Sequence, residues 1–438
     1  MTISKSPSNT AIKDSVTGDK ANVGTKVDGT TNALHTIAEV QTNPNNPPIV
    51  ELPSNQHDAF GRLRVSNPEN IFEYKFAENN SFEYYFSESN NTGGTQTDLA
   101  DSVSRRLSCT STTGSEAILQ TRRYIQYIVG KSQQVFITGN FHGAVANTMK
   151  YMGTYDDNNG MFFRLNGTTP EVVIRSSTSG SIVERVVTQS NWNIDKLDGT
   201  GNAPAIDFTK QQLLIISYGW LGIADVTFSF YIDGKVVEFH KFRSSNIETT
   251  SYSQSGNLPI RAEIKGTGTA SEMDITCIAV GREGNGADVG RLRNGNTGTS
   301  AVNFSATETF IFGIRLKSGE DYVSIKAEQF NILPRSGNDQ AIYRIYYNPT
   351  LTGATWADIP NSIAQSVTNS PSFSGGLLVG SGYFNLDGKS STGLQALSQI
   401  DIFLGKDIAG VSDNLILTIE TLAGTGSANF SGLWREFI

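Results

Sequence analysis

From about Ile71 onward the chain alternates apolar and polar residues in short runs, and almost nowhere repeats at the helical spacing. Ile71-Phe-Glu-Tyr-Lys-Phe76 and Phe82-Glu-Tyr-Tyr-Phe86 are dense in aromatics with polar interruptions. Tyr124-Ile-Gln-Tyr-Ile128, Val135-Phe-Ile-Thr138, Met161-Phe-Phe-Arg-Leu165, Glu171-Val-Val-Ile-Arg175 and Ile182-Val-Glu-Arg-Val-Val187 follow. Each is bounded by Gly, Asn, Asp or Ser, which is the rhythm of a β-sandwich or barrel. The clearest local prediction is a hairpin. Val226, Phe228, Phe230 and Ile232 alternate with polar neighbours, and Asp233-Gly234 supplies a two-residue type I′ turn. Pairing Ile232 with Lys235 sets Phe230 across from Val237 and Phe228 across from Phe239. The other face then carries Ser229 opposite Glu238 and Thr227 opposite a solvated His240. One face should be buried and the other wetter.

A second β region is expected after a Gly- and Asn-rich connection over 282–300. Its strands are Thr309–Leu316, Tyr322–Lys326, Ile342–Tyr347, Ile400–Leu404, Leu415–Ile419 and Leu433–Phe437. Only Ser362–Val367 suggests a short helical turn, and no heptad run exists for a coiled coil. Residues 1–57 differ in kind. They are polar, carry no aromatic residue and contain Asn43-Pro44-Asn-Asn-Pro47-Pro48, which cannot propagate a helix or a central strand. The expected fold is therefore all-β. An extended N-terminal arm occupies 1–57, a jelly-roll or concanavalin-like sandwich 58–285, and a smaller β-sandwich 286–438.

Composition narrows the function more than the fold. Hydrophobic content is 37% and charged content 17%, and the net charge of -8 offers no long-range attraction for phosphate. Nucleic acid is not expected as a partner. Two cysteines, Cys109 and Cys277, are too few for a disulfide scaffold and read as buried thiols. The opening Met1-Thr-Ile-Ser-Lys-Ser-Pro-Ser has no apolar core, and no run approaches a membrane helix, so synthesis in a cytoplasm and no membrane partner are expected.

Three segments carry a resemblance. Asp58-Ala-Phe-Gly-Arg-Leu-Arg-Val-Ser66 resembles a block near the start of structural proteins of tailed bacteriophages, of the tail fibre, collar or head-decoration type. Gly219-Trp-Leu-Gly222 leading into Val226–Gly234, and Asn257-Leu-Pro-Ile-Arg261, resemble the same group, so the likeness spans roughly 58–285. It implies a non-enzymatic virion component made in the host cytoplasm and anchored to the particle by the arm over 1–57, which would become ordered against partner subunits. Its partners would be portal, neck, capsid or tail subunits, and it would form a homo-oligomer such as a trimer. Phe60, Arg62 and Arg64 are the expected docking residues, because guanidinium forks hold carboxylate or carbonyl acceptors in fixed geometry. The alternative weighed against it is intramolecular ion pairing of the two arginines.

Candidate chemistry is thin. Glu272-Met-Asp274-Ile-Thr-Cys277 resembles the start of the carboxylate strand of laminarinase-like glycoside hydrolases, where two acids act about 5–5.5 Å apart. Thr276 and Cys277 stand where the second acid would fall, so no catalytic residue is expected and a capsule-degrading hydrolase is the weaker rival. Tyr155–Gly160 lacks the acid that a calcium loop would need in place of Tyr155, and reads as a polar surface turn. His35, His57, His142 and His240 fall in no metal-ligand spacing, and the glycine clusters match no phosphate loop, so no metal or cofactor is expected. Trp356, in the Pro- and Asn-flanked stretch Leu351-Thr-Gly-Ala-Thr-Trp-Ala-Asp-Ile-Pro360, is the aromatic most suited to an exposed contact with a host-surface glycan. Trp220 reads as core. A receptor- or carbohydrate-binding adhesin is thus the principal alternative.

Overall fold

The computed structural model describes residues 56–77, 82–284, 290–337, 339–369, 371–386 and 402–438, with the backbone alone of a few short strands elsewhere. The arm expected over 1–57 lies, apart from such strands and its last two residues, outside the described residues. So do the first two residues of the strand expected over Ile400–Leu404.

The fold is all-β, two antiparallel sandwiches in succession. In the first, an eight-stranded sheet runs Lys235–Phe242, Val226–Ile232, Gln211–Tyr218, Gln133–Asn140, Ser271–Glu283, Ser104–Cys109, Thr95–Leu99, with Pro68–Lys75 beside the far half of Ser271–Glu283. Facing it is a seven-stranded sheet ordered Val183–Thr188, Thr169–Ser176, Gly160–Asn166, Thr148–Tyr155, Ile260–Gly266, Ser115–Thr121, Phe86–Asn91. The chain passes back and forth between the sheets in jelly-roll fashion. Alternation explains the sorting: Val135, Ile137, Phe228, Phe230, Met152 and Phe163 are fully or nearly fully buried between the sheets, while their neighbours face outward. Burying one such side chain contributes about 1.5–3 kcal/mol, so a slip of one residue in any of these strands would be costly.

The second sandwich has its own core, built around Phe312, Ile325, Ile345, Leu417 and Trp434. Thr425–Phe437, at the C-terminus, pairs with Ser324–Ser336 and Arg291–Asn296, and so lies in the interior of its sheet. The sandwiches meet at a polar joint. Arg122 Nη1 donates to Asp413 Oδ1 at 2.7 Å, and Asn159 Nδ2 contacts the Tyr322 hydroxyl at 2.7 Å. Gly405 approaches so closely that a Cβ there would lie 2.0 Å from the Arg122 carbonyl oxygen.

Several local expectations are corrected. Phe82–Tyr85 is one turn of helix rather than strand, because that turn stacks Phe82 on Phe86 at 5.3 Å over the Tyr74–Phe76 aromatics. Tyr124–Ile128 makes a single bridge, Ile125 to Leu258, instead of a strand. Ala364–Val367 is a strand, since pairing with Thr309–Leu316 buries Ala364 and Val367. In the hairpin the expected register holds from Ile232–Lys235 to Ser229–Glu238 and then shifts, so that Phe228 faces His240. The bulge lets Phe239 turn into the core against Phe230 at 5.1 Å. His240 is consequently buried instead of solvated. Its Nδ1 accepts the Asn193 amide at 3.3 Å, and burial, reinforced by Arg185, pushes its pKa down to about 4.

Candidate functional site

The Asp58–Ser66 segment folds on itself before it touches anything else. Asp58 and Gly61 close a turn (Gly61 N to Asp58 O, 3.0 Å), with Gly61 at φ 75°. The Asp58 carboxylate then accepts the Phe60 amide at 2.9 Å, the Arg62 amide at 2.8 Å and Arg62 Nε at 2.7 Å. Aspartate is the residue suited to such a turn because its short carboxylate reaches its own following amides.

The turn is clamped to the first sandwich through the three residues singled out for docking. Phe60 lies against Gly219, where a Cβ would come within 2.4 Å of the ring. Arg64 is held inside the fold: it pairs with Glu283, donates from Nη2 to Ser217 Oγ at 3.0 Å and from Nε to the His57 carbonyl at 2.9 Å. Arg62 stays at the surface, its side chain 57% exposed, and donates to the Gly130 carbonyl at 3.0 Å. Beside it Leu63, Val65 and Val129 are exposed apolar side chains, Val65 at 83%.

All three segments of the resemblance gather here. Trp220 packs edge-on to Tyr127 at 6.3 Å and donates Nε1 to the Ser253 carbonyl. Asn257 accepts the Tyr127 amide at 2.8 Å. Trp220 is partly buried against the main core, as its place between two strands implied.

A second cluster occupies the outer face of the eight-stranded sheet. Met273 and Ile275 point into the core, which turns Glu272 and Asp274 outward. Arg106, from the adjacent strand, forms a bidentate pair with Asp274 at 2.8 and 2.9 Å and reaches Glu272 at 3.0 Å. His142, at φ 50° in the loop after Gln133–Asn140, places Nε2 2.7 Å from Asp274 and Nδ1 3.6 Å from Glu272. Burial pushes the Asp274 carboxyl up, but hydrogen bonds and charge from Arg106 and His142 outweigh it and leave the group below its ordinary value. Lys150, fully buried, fixes the loop from beneath by donating to the Phe141 and Gly143 carbonyls, and desolvation lowers its pKa to about 8. An imidazole bridging an ionised Asp and a half-exposed Glu can hold or pass a proton at the sheet surface.

The remaining candidates are more ordinary. Trp356 is half-buried, and the Arg315 guanidinium covers its ring at 4.4 Å. Tyr155–Gly160 is a turn, but Asp156 and Asn159 are buried in it: Asp156 caps the amides of Asn158 and Asn159, and Asn159 faces the second sandwich. Cys109 is buried and Cys277 half-buried, and neither is in a disulfide. His35 lies outside the described residues. Among the described residues no group of three or more His, Cys, Asp and Glu side chains is arranged to hold a metal ion, and no helix is long and apolar enough to cross a membrane.

Two features had no clear signal in the sequence. Arg106 and His142 reach the Glu272–Asp274 strand from 168 and 132 residues away. The outer face of the seven-stranded sheet is a buried layer of Tyr151, Tyr155 and Phe162 under paired charges, with Arg164 to Glu171 at 2.6 Å and Arg261 to Glu263 at 2.9 Å. The alternation of Arg and Glu with apolar residues in those strands was its only trace.

No protein-family model and no curated protein matches the sequence. Among solved structures the chain is similar to a family 16 glycoside hydrolase of Bacteroides ovatus, at 10% identity over 48% of this chain and 99% of that one, with a TM-score of 0.33. It is similar also to a β-glucanase of Bacillus licheniformis, at 10% identity over 49% of this chain and 98% of that one, TM-score 0.31. A third likeness is to a carbohydrate esterase of the Shiga toxin-encoding bacteriophage phi24B, at 13% identity over 50% of this chain and all of that one, TM-score 0.31. The expectation of a chain that is not an enzyme is corrected by these neighbours, which are themselves enzymes. The likeness is one of fold, and it assigns no activity, substrate or partner to this chain.

Proposed function

We propose that this chain is a virion protein of a tailed bacteriophage, attached to the particle through the end of the first sandwich at which Asp58–Ser66, Gly219–Gly222 and Asn257–Arg261 gather. The supporting observation is the surface of the Asp58–Ser66 turn. Its inward residues are consumed by the fold, while Arg62, Leu63 and Val65 remain on the outside with Val129 beside them. Apolar side chains around a guanidinium make the centre of a protein interface, and they are costly to leave in water. On this reading Arg64 sets the shape of the turn, and Arg62, Leu63 and Val65 make the contact.

The test is assembly. Particles are produced with Val65→Asp or Leu63→Asp in place of the native chain, and the copy number of the protein in purified particles is measured. Both side chains are exposed, so the isolated variants should unfold at the native temperature. The proposal expects particles depleted of the protein. Native copy number in both variants would refute it.

A further inference from the structure

The outer face of the Val226–Ile232 and Lys235–Phe242 hairpin was expected to be wet, yet the Asp58–Ser66 segment roofs part of it. Between roof and sheet lies a cavity of about 230 Å³. This is smaller than the roughly 300–1,000 Å³ typical of sites for larger organic ligands, and it suits one small polar molecule. The roof is His57, Asp58, Ala59 and Arg64. On the floor, Phe136, Ile215 and Val236 form an apolar strip. Beside it stand Thr227 and Ser229, both buried, whose hydroxyls make no hydrogen bond among the described residues. Gln134 and Glu238 add an amide and a carboxylate.

The charges decide the ligand. Arg64 is neutralised by Glu283 and saturated by Ser217 and the His57 carbonyl. The Lys241 ammonium, at the rim, makes no ion pair among the described residues. Glu238 is engaged by a contact of its own, and a cation with no ion pair among the described residues, beside an apolar strip and idle hydroxyls, fits a molecule with one carboxylate, one C–H face and several hydroxyls.

We propose that this cavity binds a single hexuronate unit of an acidic glycan. The carboxylate sits on Lys241, the C–H face of the ring lies on Phe136, and the ring hydroxyls bond to Thr227 and Ser229. The site is distinct from the Glu272–Asp274 cluster and from Trp356, and it stands whether or not the chain belongs to a phage particle.

Isothermal titration calorimetry of the full chain tests it, with sodium D-glucuronate, D-glucose and sodium acetate as probes. Glucuronate should saturate one site in the millimolar range or below, with glucose and acetate each weaker by roughly tenfold or more. Lys241→Met should abolish the preference of glucuronate over glucose while the unfolding temperature stays native, and Lys241→Gln replaces it should the methionine variant misfold. Absence of glucuronate binding at about 50 mM would overturn the proposal. Equal affinity for glucuronate and glucose would do the same, as would acetate matching glucuronate, or a preference that survives both Lys241 variants.

Discussion

Gly219→Ala is the sharpest probe of how the Asp58–Ser66 turn is held. The glycine is required for space and not for backbone freedom, because an added Cβ would lie 2.4, 2.5 and 3.0 Å from Cζ, Cε2 and Cε1 of Phe60. Contacts that close cannot persist, and the ring is the part able to move. Forcing a methyl group into a packed contact costs about 1–3 kcal/mol. If Phe60 leaves instead, the turn loses its half-buried ring and the Arg62 guanidinium loses the aromatic face 5.0 Å away, an interaction of about 0.5–1 kcal/mol at an exposed site. About 2 kcal/mol is a fair middle value, and it falls on the attachment of the turn rather than on the sandwich core. Native-state hydrogen exchange reads it directly. The Arg64 amide, bonded to the Gln56 carbonyl at 2.8 Å, and the Gly61 amide should exchange roughly thirtyfold faster. The Ile137 amide, in a central strand, should be unchanged. In a Phe60→Ala background the same glycine substitution should have almost no effect, since the clashing atoms are gone. An equal acceleration in both backgrounds would refute the reasoning.

Three further outcomes are expected. His240 is held neutral down to about pH 4 by burial and Arg185, while the unfolded chain takes up that proton near pH 6.5. Stability should therefore fall as pH drops through this window, and the difference between the wild type and His240→Phe in urea midpoint should change with pH there and become constant above it. Asp413→Ala removes an almost fully buried carboxylate that accepts from Arg122 and Asn348, each at 2.7 Å, and from the Gly405 amide at 3.0 Å. It should cost about 3–4 kcal/mol and split the calorimetric transition, because the Arg122 charge at the joint loses its partner. Asp274→Asn should cost about 2 kcal/mol near neutral pH through the lost charge on the Arg106 and His142 bonds. Because the native carboxyl is held below its ordinary value, that deficit should shrink as acid protonates Asp274 in the wild type.

Much of the architecture could be read from local pattern. Period-two alternation placed Val226, Phe228 and Phe230 in the core, and Asp233-Gly234 fixed the turn after them. These features are decided within a few residues by side-chain direction and backbone preference, so a linear sequence contains them. Local pattern failed wherever a distant partner could outweigh it. Phe82–Tyr85 became helical because stacking on Phe86 beside Tyr74 and Phe76 was worth more than extension. Ala364–Val367 extended because a sheet edge was open to it. His240 was buried by one extra residue at Phe239.

The candidate site was the least legible part. Glu272 and Asp274 were visible, but Arg106 and His142 join them only once Ser104–Cys109 and Gln133–Asn140 flank the same strand. The cavity beside Lys241 exists only because the Asp58–Ser66 turn folds over a hairpin that begins near residue 226. The sequence by itself determined the strands, the tight turns and the alternation of faces, because those depend on neighbours along the chain. Only the tertiary structure decided which strands lie side by side and which outward faces are roofed. That choice is made by summed burial across segments far apart in the chain, and no short window of residues contains the sum.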